Sequence, residues 1–184
     1  FKPLNMIDTD FYVPEDKHDR FVDCYQELVS KNGNKLKRCY KGGEDIFSKK
    51  RNFLSGGGGL CSTLADYANF CQMILNEGYF DGKQLLSPIT VRFMRENHLP
   101  NNQTMSEMGD DNFSEVRYDG AGFGLGFSSL IDPVKSMSPL SLRSNYWGGM
   151  ASTIYWIDTK ENLFAILLTK LKHTLRNPIR QQPQ

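Results

Sequence analysis

Two segments near the C-terminus have the most strongly hydrophobic pattern in the chain. Residues 152–157 and 163–169 are rich in β-branched, aromatic and aliphatic side chains, and a polar connector, residues 158–162, separates them. Two such runs around a short polar connector predict a β-hairpin. Because the second run is almost continuously apolar, we expect its strand to be buried on both faces of the sheet.

A pair of glycines, Gly148 and Gly149, precedes this hairpin. Glycine weakens a strand through its conformational entropy, so paired glycines there indicate either a β-bulge or a point where another group approaches the backbone closely. The residues alone leave both interpretations open, and the second one would indicate a binding site.

Helical periodicity predicts three helices. Residues 63–76 repeat apolar side chains at helical spacing, and Thr63 begins the segment as an N-cap with an aspartate three residues later. Residues 88–97 begin with a proline, which favours the first turn of a helix. Residues 19–29 also place aromatic and aliphatic side chains at helical spacing, so they predict a short amphipathic helix.

Three further segments have patterns typical of loops or strands. Residues 30–51 are polar and lysine-rich with Asn-Gly and Gly-Gly turn signals, which predicts an exposed loop and a short edge strand. Residues 98–119 are polar and acidic and predict a long loop. Residues 120–127 carry a glycine at every second position. They predict a strand over residues 123–129, in the same sheet as the hairpin, with one face bare for close packing.

Length and charge limit the classes of function. A chain of 184 residues is long enough for one domain with a hydrophobic core, and its formal net charge of +1 gives no argument for binding nucleic acid or an anionic membrane. The short basic runs at residues 35–38 and 49–51 have too little aromatic interleaving to indicate a nucleic-acid site. No apolar run is long enough to predict a membrane span.

The four cysteines predict neither a zinc site nor a disulfide framework. Cys24, Cys39, Cys61 and Cys71 form no C-x-x-C pair and have no histidine at ligand spacing. Two disulfides are possible in principle, but isolated cysteines in a domain of this size are more often thiols, which favours an intracellular location. The glycine runs match neither a phosphate-binding loop nor a dinucleotide fingerprint, so we expect no metal ion and no cofactor.

Motifs for nucleophilic catalysis are missing from the sequence. No serine lies in a G-x-S-x-G elbow, and none has a lysine three residues later. The Y-x-N pattern at residues 67–69 lies within the predicted helix, where Tyr67 is expected to pack in the core. We therefore expect these residues to be catalytically inactive on their own.

Several blocks in a fixed order nevertheless resemble the β-lactamase-related serine hydrolases, which include class C β-lactamases, DD-peptidases, esterases and acyltransferases. The blocks are PLNMIDTDFYVP, SGGGGLCSTLADYANFCQMILN with DGKQLLSP, GFGLGF, and YWGGMASTIYWIDTKENLFAILLT. The resemblance covers most of residues 1–170. It implies an α/β (α+β) fold with an antiparallel sheet flanked by helices. Residues 1–172 would form the C-terminal part of one such domain, followed by a polar tail at residues 173–184.

In this family the nucleophile is the serine of an S-x-x-K motif, assisted by the tyrosine of a Y-x-N motif. Both lie upstream of the block that opens this chain, so the resemblance extends only to the C-terminal half of the family's domain. It implies that the N-terminal half of the same domain is the chain's partner and that an ester or acyl substrate reacts through an acyl-enzyme. Two alternatives are a catalytically inactive structural subunit of a larger assembly and a regulatory or binding domain.

The resemblance also implies a set of site residues. The third family motif, Lys-Thr-Gly or His-x-Gly, corresponds to Trp147-Gly148-Gly149, and the backbone N–H of Met150 would then be an oxyanion-hole donor. An indole at position 147 cannot pair with a carboxylate as the usual cation does, so a neutral ester or acyl donor is expected. The glycine loop at residues 56–59 would line the cleft, with Gly58 at its rim. Asn5 stands where the family has a glycine, and asparagine tolerates left-handed backbone angles best among the other residues.

Overall fold

A five-stranded antiparallel sheet organises the part of the chain that the computed structural model describes, residues 1–28, 35–41, 47–108 and 118–172. The strands and helices in chain order are β1 (Cys24–Leu28), β2 (Lys35–Tyr40), α1 (Leu64–Leu75), β3 (Tyr79–Phe80), β4 (Lys83–Gln84), α2 (Pro88–Arg95), α3 (Met105–Met108), β5 (Ala121–Phe123), β6 (Ser128–Leu130), β7 (Asn145–Gly149), β8 (Thr153–Asp158), β9 (Leu163–Leu167) and β10 (Leu171–Lys172). The expected α/β (α+β) class is confirmed. The tail at residues 173–184 lies outside the described residues.

The large sheet has the strand order β5-β6-β7-β8-β9, and each neighbouring pair is antiparallel. β8 and β9 form the hairpin predicted from the two hydrophobic runs, with Ile154 opposite Leu167. The expectation that the second strand is buried on both faces is wrong, because Leu163 and Leu167 are 44% and 43% exposed. β9 is the outermost strand of this sheet, so it has a neighbouring strand on one side only.

Helix α1 packs on one face of this sheet. The hydroxyl of its N-cap, Thr63, accepts a hydrogen bond from the Asp66 amide at 3.2 Å. On the inner side of the helix, Ile74 is fully buried and belongs to the same core cluster as Ile157 of β8. The helix predicted over residues 63–76 is therefore confirmed together with its cap.

Helix α2 also begins where its sequence signals predict. The hydroxyl of Ser87 caps it by accepting a hydrogen bond from the Thr90 amide at 3.2 Å, and a proline occupies its first position. Its side chain Val91 is fully buried in the core cluster. The helix ends at Arg95, two residues before the predicted end. Of the loop predicted over residues 98–119, the described part contains only short helical turns, at Pro100–Asn102 and Met105–Met108.

The N-terminal segment is held against α1 by a buried carboxylate. Asp66, which is 4% exposed, accepts hydrogen bonds from the amide of Asp8 and the hydroxyl of Thr9, both at 2.8 Å. Thr9 is itself buried. A buried carboxylate needs such donors to replace the water it loses, so these bonds fix the segment in place.

Asn5 ends the first helical turn of the chain in a left-handed conformation, with φ 52° and ψ 34°. This confirms the expectation for the position at which the family has a glycine. We expect Asn5→Gly to change the free energy of unfolding by less than about 1 kcal/mol, because glycine adopts these angles without strain. Asn5→Val should lower it by about 1–2 kcal/mol, because its branched Cβ crowds the backbone there. Urea unfolding of both variants tests this, and equal stabilities would contradict it.

The helix predicted over residues 19–29 is wrong. A short 3-10 helix, Glu15–Arg20, is followed by strand β1, and Val29 lies outside the described residues. β1 is the middle strand of a three-stranded sheet, where it pairs with β2 in antiparallel and with β10 in parallel orientation. These pairings with strands distant in the chain override the weak helical spacing. β2 is the edge strand expected within residues 30–51.

The strand predicted over residues 123–129 is a hairpin instead. β5 and β6 lie in the same sheet as β8, as expected, but the chain turns between them, and the Gly124 amide donates to the Phe127 carbonyl at 2.8 Å. The expected close packing is confirmed at two of the glycines. A Cβ at Gly122 would lie 2.3 Å from the Asn97 side chain, and one at Gly124 would lie 2.3 Å from the Met94 carbonyl oxygen.

Candidate functional site

Strand β7 has an open edge over its second half. β8 pairs with all of β7, from Asn145 to Gly149, whereas β6 pairs only with Asn145 and Tyr146. No described strand pairs with the other edge of residues 147–149, because the chain turns away before β6 begins. An open strand edge presents backbone N–H and C=O groups that an extended ligand can bind. The first half of β7 is paired on both sides, so the unpaired edge is limited to residues 147–149.

The turn that follows β7 carries Met150. Three residues, 150–152, connect β7 to β8; the Ser152 amide donates to the Gly149 carbonyl at 3.0 Å, and Ser152 has φ 59°. This is a common hairpin connection whose last residue is left-handed. Among the described residues, no hydrogen bond engages the Met150 amide, and the Met150 side chain is 60% exposed. The structure therefore places Met150 at the tip of a turn.

The segment after β9 holds this turn in place. The hydroxyl of Thr169 donates to the carbonyls of Ala151 and Ser152, at 3.0 and 2.8 Å. The amide of Leu171 also donates to the Ala151 carbonyl, at 3.2 Å. These bonds satisfy the carbonyl groups of Ala151 and Ser152, and no described hydrogen bond uses the Met150 N–H, which remains an available donor.

Trp147 lies in an aromatic cluster beside the open edge. Its ring stacks on Tyr118, with centroids 5.5 Å apart and planes 13° apart, and meets Phe123 edge-on at 5.0 Å. Neither partner was a candidate from the sequence. Tyr118 follows a polar stretch with no periodic pattern, so no sequence signal identifies it. The side chains of this cluster beside the open edge are therefore aromatic and carry no charge.

The two glycines of the motif lie opposite β8. Gly148 pairs with Ile154 and Gly149 with Thr153, and the β7–β8 register runs without a shift. The bulge interpretation is therefore wrong within this pair of strands. At Gly149 the group that approaches closely is the Thr153 hydroxyl of the same hairpin, whose oxygen would lie 2.5 Å from a Cβ.

A buried arginine anchors the start of β7. Arg95, the last residue of α2, donates from Nε to Oδ1 of Asn145 at 2.5 Å and from its guanidinium to the Thr159 hydroxyl at 2.6 Å. Asn145 is fully buried and donates in turn to the carbonyl of Ser128 in β6 at 3.0 Å. Burial lowers the pKa of Arg95 from its usual value. Sequence analysis missed this contact, because an arginine at a helix end gives no sign of burial.

The Y-x-N tyrosine is a core residue, as expected. Tyr67 packs on Tyr155 with ring centroids 5.0 Å apart. Burial raises the pKa of Tyr67 to about 12, and it raises the pKa of the Cys71 thiol to about 12 as well. Burial likewise raises the pKa of Tyr155. All three groups stay protonated near neutral pH, so they do not supply a general base to this site.

No described contact connects Gly58 with the open edge of β7. It lies in an exposed turn, and a Cβ there would have no atom within 4 Å. Two surface cavities of about 450 and 260 Å³ also lie elsewhere, one beside Asn69 and the other beside Arg92. Neither of these two cavities is lined by residues of the candidate edge.

The described residues contain neither a metal-binding cluster nor a membrane-spanning helix. No group of three or more histidine, cysteine, aspartate or glutamate side chains is arranged to hold a metal ion in the described ranges. Within the same ranges, none of the helices has both the length and the apolar character needed to cross a bilayer.

Comparison with known proteins identifies relatives over more than nine tenths of the chain. A family model described as beta-lactamase matches residues 1–182. Protein Rv1367c and uncharacterized protein MT1414, both from Mycobacterium tuberculosis, are each 33% identical to the chain over 174 residues, which is 93% of this chain and 41% of theirs. The chain therefore spans about two fifths of the length of these curated relatives.

Two kinds of solved structure share the fold. A mutant of simvastatin synthase (LovD) from Aspergillus terreus has a TM-score of 0.75 and 22% identity, over 97% of this chain and 44% of that one. EstCE1, described as a hydrolase with promiscuous acyltransferase activity, has a TM-score of 0.70 and 19% identity, over 93% of this chain and 43% of that one. At this identity the likeness establishes the fold alone.

Proposed function

The chain belongs to the beta-lactamase family, and we propose that it is the C-terminal part of a serine hydrolase that acts on an ester or acyl substrate through an acyl-enzyme. The observation that carries this proposal is the open edge of β7 at residues 147–149, which leads directly to the available Met150 amide. The fold relatives support it, since EstCE1 is described as a hydrolase with acyltransferase activity and LovD as a synthase.

In this proposal the substrate carbonyl lies against the open edge, with its oxygen at the Met150 N–H. As the nucleophile attacks, negative charge develops on that oxygen, and a fixed donor stabilises it. One such donor is worth about 3–4 kcal/mol in the transition state. Gly148 carries no side chain that would crowd the acyl group, and at Gly149 the Thr153 hydroxyl occupies the space that a Cβ would take. The nucleophilic serine and its activating groups come from a segment outside this chain.

The substrate is proposed to be a neutral ester or acyl donor. Trp147 stands at the position where the family has a cation, and its stack on Tyr118 adds a second uncharged ring. An indole offers one N–H donor and no positive charge, so it does not neutralise a substrate carboxylate. An aromatic wall instead favours an apolar acyl group through buried area. Gly58 stays a proposed rim residue of the same cleft.

We propose that the N-terminal half of the same domain covers the outer edge of β9. β9 ends the described sheet, and its flank carries three leucines that are 43–45% exposed, Leu163, Leu167 and Leu168. An uncovered apolar strand edge favours aggregation, so a covering segment is expected in the native protein. A strand supplied by the rest of the polypeptide would pair with the free backbone groups of β9, and the segment that carries it would shield these leucines from water.

Labelling with a serine-reactive fluorophosphonate tests this function. We expect the full-length protein to be labelled once, at a serine outside residues 1–184, and we expect no labelling of any serine within them. The reason is that none of these serines has the lysine three residues later that activates the family nucleophile. Digestion and mass spectrometry of the labelled protein locate the modified peptide.

Two outcomes would contradict the proposal. Stoichiometric labelling of a serine within the chain would show that the motif assignment is wrong. A full-length protein that is folded but never labelled would favour the alternative, a catalytically inactive structural subunit or a binding domain that keeps the family fold.

A further inference from the structure

Two cysteine side chains lie on the same face of neighbouring strands in the small sheet. The register of β1 and β2 shifts between Cys24 and Tyr25, which makes Cys39 the extra residue of a β-bulge opposite them. Sγ of Cys39 lies 3.8 Å from Oε1 of Gln26. Gln26 shares a face of β1 with Cys24, because residues two apart in a strand point the same way. Both thiols therefore belong to one face.

The third strand of this sheet places a cation on the same face as the two cysteines. Lys172 of β10 is the register partner of Gln26, so its side chain belongs to that face as well. The hydroxyl of Tyr40 accepts a hydrogen bond from Nζ at 3.4 Å and thereby raises the pKa of Lys172. The Lys172 ammonium group therefore belongs to the face that carries both cysteines.

We propose that Cys24 and Cys39 form a peroxide-reactive dithiol that closes to a disulfide across β1 and β2. The register partner of Cys24 is Tyr40, and Cys39 is the bulge residue immediately before it, so the two cysteines lie one position apart across the two strands. Directly opposed residues of antiparallel strands have Cα atoms about 4.5–5.5 Å apart, and a disulfide accepts a span of about 4.4–6.8 Å. The two cysteines differ in access: Cys24 is buried, whereas Cys39 is partly exposed. Because peroxide can reach the more exposed thiol, Cys39 is oxidised first and Cys24 then forms the disulfide with it.

In the first step the Cys39 thiolate attacks one oxygen of hydrogen peroxide. The O–O bond breaks, a sulfenic acid forms at Cys39, and the departing hydroxide takes up a proton and leaves as water. In the second step the sulfur of Cys24 attacks that sulfenic sulfur, and a second water leaves. In sum, two thiols and one peroxide give one disulfide and two waters, so the protein is oxidised by two electrons and the peroxide is reduced by two.

The sequence makes this pair easy to detect by peptide mapping. Trypsin releases Cys24 in residues 21–31 and Cys39 in residues 39–41, whereas Cys61 and Cys71 share the peptide 52–83. Full-length protein is treated with hydrogen peroxide, alkylated and digested without reduction. We expect peptide 21–31 joined to peptide 39–41. This product should be at least about tenfold more abundant than any other cysteine pair, because the fold raises the effective concentration of one thiol near the other.

Two variants separate this assignment from general thiol oxidation. Cys39→Ser should abolish the linked product, whereas Cys61→Ser, the matched control at another partly exposed cysteine, should leave its yield unchanged. Cys24→Ser removes the second thiol, so the sulfenic acid at Cys39 should persist. A dimedone-type probe should then label peptide 39–41 several-fold more than it does in the unchanged protein.

The proposal is overturned if Cys39 pairs with peptide 52–83 as often as with 21–31. It is also overturned if both thiols remain open to alkylation after peroxide treatment. A third contrary result would be an equal yield of the 24–39 pair in urea-unfolded protein, since closeness along the chain would then explain the pairing without the fold.

Discussion

Arg95→Met is expected to lower the free energy of unfolding by about 3 kcal/mol. Methionine keeps much of the aliphatic stem of the arginine but removes the donors that serve Oδ1 of Asn145 and the Thr159 hydroxyl. Asn145 is fully buried, so its side-chain oxygen would be left without a partner and without water. An unsatisfied buried acceptor and the loss of a charge-assisted hydrogen bond both add to the cost.

Arg92→Met is the matched control for this experiment. Arg92 lies on the same helix, but its side chain is 59% exposed and pairs with the exposed Glu77 at 3.3 Å. Exposed ion pairs contribute little, so we expect a change within about 0.5 kcal/mol. Urea unfolding of the full-length protein compares the two variants. Equal losses would show that the Arg95–Asn145 contact does not anchor β7.

Local signals explain why parts of the fold were predictable. Thr63 and Ser87 cap α1 and α2 through hydrogen bonds that involve neighbours three residues away. Asn5 likewise adopts the left-handed angles that its residue type allows. Each of these features depends on a few adjacent residues, so the sequence contains all of the information needed. The hairpin of β8 and β9 is predictable for the same reason.

Contacts between segments distant in sequence explain why some of the predicted elements are wrong. β1 lies between β2 and β10, and the β10 residues come at the other end of the described chain, so helical spacing around Tyr25 was misleading. Alternating glycines at residues 120–127 fit a strand equally well, but Gly126 has φ 110° and takes part in a turn. Whether an apolar strand is covered also depends on what lies beside it, as the exposed Leu167 of β9 demonstrates.

The candidate site also contains some residues that the sequence predicts and others that only the structure identifies. Trp147 and the two glycines were assigned from the family motif, and the structure adds the open edge beside them. Tyr118, by contrast, acquires its place only through stacking on Trp147. Arg95 contacts strand β7 through Asn145. Contacts between elements distant in sequence carry no periodic signal, so these residues required coordinates.

The turn after β7 offers a direct test of the proposed oxyanion donor, Met150→Pro. Proline has no backbone N–H, so the change removes the donor itself, which no ordinary side-chain substitution does. Met150 is the second residue of a turn in which Ser152 donates to Gly149, and proline is favoured at that position. Its φ is not among the positive values of the chain, and no described hydrogen bond uses its amide. The turn should therefore form normally.

We expect Met150→Pro to lower kcat for a short-chain p-nitrophenyl ester by about a hundredfold to a thousandfold in the full-length protein, the scale of losing one oxyanion donor. Met150→Ala is the matched control. It removes the same exposed side chain but keeps the N–H, so it should retain activity within about threefold, since exposed side chains contribute little to structure. Thermal unfolding of both variants should give similar midpoints. If Met150→Pro retains the turnover of Met150→Ala, the Met150 amide is not the donor. The open edge of β7 would then have to bind its ligand without stabilising an oxyanion there.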